Sequence, residues 1–72
     1  MREYLIVIER AGNNYSTYAP EVPGCVATGS TERETEENMR AALELHLRGM
    51  KDGELPPDSA EVSVKRIKVA IP

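Results

Sequence analysis

The sequence predicts an α+β domain with the element order β-β-β-α-β, and three observations carry that prediction. Apolar residues alternate in the N-terminal and C-terminal stretches, the period of half-buried strands. Between them, Ser30 to Asp52 carries apolar residues at helical spacing. Ahead of that run, Pro20 and Pro23 block any ladder and force the chain to turn.

Arg2–Glu9 is the first expected strand, with Tyr4, Ile6 and Ile8 on one face and Leu5 and Val7 on the other. Apolar residues on both faces predict cover on both sides. Ala11-Gly-Asn-Asn14 predicts a hairpin turn, since Gly and Asn tolerate positive φ. Tyr15–Ala19 returns. Pro20, Pro23 and Gly24 form a structural turn, and Cys25–Thr28 is a short third strand closed by Gly29. Ser30 or Thr31 caps the helix, and Thr31 with Glu34 has capping-box spacing. Glu32, Glu34, Glu36 and Glu37 crowd the first turns and Arg48 and Lys51 the other end, each sign favoured by the helix dipole. Thr35, Met39, Ala42, Leu43, His46 and Met50 make one stripe, and Gly53 suits the residue after the last turn. Leu55–Ser59 is a linker and Glu61–Ile71 a last strand. In that strand Val62 and Val64 differ in parity from Ile67, Val69 and Ile71. Either a bulge near Lys65-Arg66 reconciles the two sets, or its halves are covered on different faces.

Three antiparallel strands and a returning helix make the fourth strand parallel to the first. Placed beside it by a right-handed crossover, it gives a four-stranded mixed sheet of order 3-2-1-4 with the helix on one face. The other face stays open, and an uncovered apolar sheet face is a partner site by default.

The 72 residues allow one domain, 1–72, with a small core. Cys25 is the single cysteine and His46 the single histidine, so neither an internal disulfide nor a Cys/His zinc site can staple it. Self-association, as a homodimer or higher homo-oligomer, is the remaining supplement. Leu5–Ile8 is too short for a signal peptide or a membrane span, so a cytoplasmic location with a reduced thiol is expected. The net charge of −3 argues against direct nucleic-acid binding, which needs clustered Lys and Arg.

The hairpin, the Ala19-Pro-Glu-Val-Pro-Gly-Cys25 turn, the Thr28-Gly-Ser30 junction and the Glu-rich helix with Asn38 and Ala42 resemble the HicB-like antitoxin domain over residues 3–71. The resemblance implies a truncated ribonuclease-H-like fold. It also implies a type II antitoxin that binds and occludes a HicA-like toxin, a small basic mRNA-cleaving protein. Family antitoxins typically continue into a C-terminal DNA-binding segment. With the sequence ending at Pro72, the expectation is a stand-alone toxin-binding domain. The alternative is an orphan self-associating module without a toxin.

No catalytic, metal or cofactor residue is expected. Ribonuclease H chemistry gathers several carboxylates around two metals. The first strand carries acids only at its ends, Glu3 and Glu9, about 20 Å apart at ~3.3 Å per residue. His46 lies on the helix stripe and reads as partly buried, with neither a nucleophile nor an orienting carboxylate nominated beside it. Cys25 reads as a small buried hydrophobe, since no Lys or Arg lies within seven residues to lower its pKa. Lys65, Arg66 and Lys68 read as charges that guard an edge strand, with a nucleic-acid ribbon as the alternative. A toxin that grips RNA presents positive charge, so acids beside apolar residues are the expected toxin-binding set: Glu21 with Val22, and Glu32, Glu34, Glu36 and Glu37.

Overall fold

The hairpin forms around a two-residue turn. The computed structural model describes residues 1–72, except for the side chain of Asp52. β1 (Val7–Ala11) and β2 (Asn14–Tyr18) run antiparallel, with Val7 opposite Tyr18 and Ala11 opposite Asn14. Gly12 has φ 62°, and positive φ at only the first central position is the type II′ pattern. Next come two successive β-turns, each with proline second. Val22 N donates to Ala19 O at 3.0 Å, and Cys25 N to Val22 O at 3.3 Å. Gly24, at φ 84°, supplies the left-handed position that a type II turn needs after Pro23. β3 (Val26–Gly29) then pairs with β2, Tyr15 opposite Gly29 and Tyr18 opposite Val26.

The helix α1 spans Glu32–Arg48. Thr31 is its N-cap: Glu34 N donates to Thr31 Oγ1 at 3.0 Å. The return half of the expected capping box is displaced by one residue. The Glu34 carboxylate accepts from Ser30 N at 3.3 Å and Ser30 Oγ at 2.9 Å, satisfying an amide outside the helix. The helix ends before the expected Asp52. Gly49 caps it, at an ordinary φ of −81°, and Met50 N donates to Leu47 O at 3.0 Å. A glycine inside a helix costs about 1 kcal/mol, so Gly49 stops the helix before Gly53 can. A single 3-10 turn, Asp52–Glu54, follows.

The sheet is three-stranded and antiparallel, in the order β1-β2-β3. This differs from the four-stranded mixed sheet expected from the sequence. Among the described residues Glu61–Ile71 joins no ladder, and its apolar side chains are bare: Val62 is 46 % exposed, Ile67 81 % and Ile71 83 %. β1 is therefore an edge strand, not the central one. Its ladder starts only at Val7, because the partner Tyr18 is the last residue of β2 before the proline turns. Residues 2–6 project past β2 and, among the described residues, have no strand on either side.

Register and alternation set the two faces. Ile8, Thr17 and Ala27 lie in one row toward the helix; Val7, Tyr18 and Val26 lie in another toward solvent. The buried core is Ala19, Val22, Cys25 and Met39, with Tyr4, Ile6, Ala42, Leu43 and Leu47 packed around it. It gathers where the proline turns meet the helix. His46 departs from expectation: it is exposed, and Leu47 takes its place in the packed stripe.

Candidate protein-interaction surfaces

The residues expected to meet a partner fall in two places with different surroundings. In the proline turn Val22 is 1 % exposed, so it belongs to the core and offers no surface. Glu21 is half-buried, and its carboxylate accepts from Ser59 Oγ. That bond ties the turn to the segment after the helix. Ser59 itself is buried, and its N–H donates to Glu3 O at 2.7 Å. Pro56 O accepts from Tyr4 Oη at 2.9 Å and from Arg2 Nη1 at 3.1 Å. Residues 56–59 thus clamp the N-terminal segment; the sequence marks them only as a linker, and nothing in it signals a buried Ser59.

At the start of α1 the four glutamates are all exposed, but most are already engaged. Glu34 holds Ser30. Glu36 pairs with Arg40 at 3.2 Å and Glu37 with Arg33 at 3.6 Å, both at i,i+4 spacing. Such exposed pairs contribute at most about 1 kcal/mol, so they leave the carboxylates free to exchange partners. Glu32 makes no side-chain hydrogen bond or ion pair among the described residues.

Two further surfaces carry apolar area. The open sheet face presents Tyr18, 43 % exposed, and Val26, 66 % exposed, beside half-buried Leu5 and Val7. A groove of about 940 Å³ lies between the N-terminal segment and one flank of α1. Tyr4, Ile6, Leu43 and Leu47 form its apolar floor, with Glu36 and Glu44 at its rim. Sequence reading missed this groove, because a fourth strand was expected to fill that side of β1.

Catalytic features are sparse. Among the described residues no three of His, Cys, Asp and Glu gather to hold a metal, and no helix is long and apolar enough to cross a membrane. Cys25 is buried, and desolvation pushes its thiol pKa up, away from nucleophilic character.

A family model described as "HicB_like antitoxin of bacterial toxin-antitoxin system" matches residues 4–70. A curated relative, the UPF0150 protein of Helicobacter pylori strain J99, is 37 % identical over 66 residues, which is 92 % of this chain and 85 % of that protein. No solved structure matches the chain.

Proposed function

The chain belongs to the HicB-like antitoxin family of bacterial toxin–antitoxin systems, and from that premise we propose that it neutralises a HicA-like mRNA-cleaving toxin in the cytoplasm by covering the toxin's active surface. The family match across residues 4–70 is the observation that carries this reading. The role is one of binding, without chemistry of its own. A toxin that grips RNA phosphates presents basic groups, so the acidic end of the domain is the proposed toxin-facing rim. Glu32, Glu36 and Glu37 carry it at the surface. Glu21 and Glu34 add charge but also hold Ser59 and Ser30. Val22 is buried, and Tyr18 and Val26 lie on the sheet face away from α1, so charge is what this rim offers the toxin. Rim charges steer the encounter. The same reading includes a homo-oligomer, and a fourth strand in the order 3-2-1-4 that completes only when Glu61–Ile71 finds a sheet edge.

Co-expression tests the reading. The chain is expressed with a HicA-like toxin, and growth and pull-down are scored. Rescue of growth with stable capture is expected. Growth arrest despite abundant folded chain would refute the antitoxin role. The variant Glu32→Gln with Glu37→Gln, which spares Glu21 and Glu34, should slow toxin association and reduce its salt dependence; unchanged rates and salt slope would place the contact elsewhere.

A further inference from the structure

The chain carries a strand without a sheet and a sheet edge without a strand. Residues 61–72 form an arm exposed at every residue. Its apolar residues are far from buried, with Val64 at 63 % and Val69 at 68 % exposure. The departure point is well defined. Ser59 is pinned to Glu3, and Val62 N then donates to Ser59 O at 2.9 Å, a turn that swings the arm away from the body. The molecule consequently measures 49 × 28 × 18 Å, with a radius of gyration of 14.1 Å. A compact chain of this length would have about 11 Å. On the body, β1 has one unpaired edge, residues 2–6 lack a strand neighbour, and the groove floored by Tyr4, Ile6, Leu43 and Leu47 lies open beside them.

We infer that the arm of each molecule docks on the free β1 edge and adjoining groove of a second copy, reciprocally, to form a strand-exchanged dimer. Added strands gain main-chain hydrogen bonds along the edge, while alternate side chains enter the groove. Reciprocal exchange about a two-fold axis closes both free edges, which removes the aggregation hazard of an open edge strand. Charge favours a second copy as the occupant. Residues 61–72 hold three cations against one acid, whereas residues 1–60 hold six cations against eleven acids. The groove lining itself holds four acids, Glu3, Glu36, Glu44 and Asp58, against three cations, Arg2, Arg40 and Arg48, so the complementarity lies between the basic arm and the acidic body as a whole. Each copy contributes an arm and a receiving edge, which approaches the roughly 20–30 residues a side of a stable interface. The two parity sets of the arm then have separate uses: one enters the groove, and the other extends the opposite sheet face. The dimer gives concrete form to the self-association above and does not depend on a toxin.

Sedimentation equilibrium of the full chain should give a dimer at micromolar concentration. The variant Ile67→Asp with Val69→Asp should raise the dissociation constant at least tenfold, with helical circular dichroism retained. A monomeric wild type, or a variant that dimerises as before, would overturn the inference. Should the variant misfold, the wild type decides by isotope-filtered NMR on a mixture of labelled and unlabelled chains. Cross-peaks between arm methyls of one copy and β1 amides of the other are expected. Arm contacts confined to one chain, or only between two arms, would overturn the exchange. None of these measurements involves toxin, so failure here leaves the antitoxin reading standing.

Discussion

Gly24 and Gly29 are glycines for different physical reasons, and substitutions should separate them. Gly24 sits at φ 84° with open space where a Cβ would go, so its constraint is conformational. Gly24→Val should destabilise by about 1 kcal/mol or more. Gly29 has no such φ, but a Cβ there would lie 2.5 Å from Thr35 Oγ1 and 2.7 Å from Thr35 N. The first turn of α1 rests directly on the end of β3, so even Gly29→Ala should cost about 1–3 kcal/mol, the range for overpacking. Urea unfolding followed by circular dichroism measures both; a neutral Gly29→Ala would deny the close approach. The first constraint was legible in the Pro-Gly pair, whereas the second needs the helix placed on the strand, which sequence spacing does not supply. Cys25 gives a pH test. Burial raises the folded thiol's pKa, while the unfolded thiol titrates near about 8.5. Below that pH both states keep the proton. Above it the unfolded state releases its proton first, so stability should fall as pH rises toward the folded pKa. Unfolding midpoints between pH 7 and 10 should show this slope in the wild type and lose the Cys25 part of it in Cys25→Ala.

At the scale of elements, caps and turns were the most readable features because each depends on a few adjacent residues. Both prolines sit in the turns they signal, and Thr31 caps α1. Thr31→Ala should destabilise by about 0.5–2 kcal/mol, since Glu34 N loses its partner. Thr35 Oγ1 also bonds Thr31 O, at 2.7 Å, but that contact survives the substitution and will not mask the loss. Thermal unfolding measures the effect, and an unchanged midpoint would mean that water caps the helix equally well. Element ends were less legible. Gly49 stops α1 before Gly53, and two glycines four residues apart look alike in sequence. His46 and Leu47 exchanged roles for a related reason: one residue of rotation on a helix moves a side chain by about 100°, which periodicity alone does not resolve.

For the whole molecule, the alternating pattern of the arm marked it as strand material but could not say whose sheet it completes. Pairing is a non-local property, and Glu61–Ile71 reads the same whether its edge lies in its own chain or in another. The candidate toxin site was legible to the same limited degree. The glutamates of α1 are exposed as their pattern implied, while Val22, adjacent to Glu21 in sequence, turned inward because the two proline turns fold it under the helix. Sequence adjacency to a charge does not put an apolar residue on the surface. The proposed antitoxin role rests on the family match over residues 4–70 and a proposed acidic rim suited to a basic, RNA-gripping partner. Its most direct test is cleavage of RNA by a purified HicA-like toxin, titrated with this purified chain. Cleavage should fall to background once the chain reaches stoichiometric amounts, with saturable binding by calorimetry. Undiminished cleavage and no binding in the presence of excess folded chain would refute the antitoxin role.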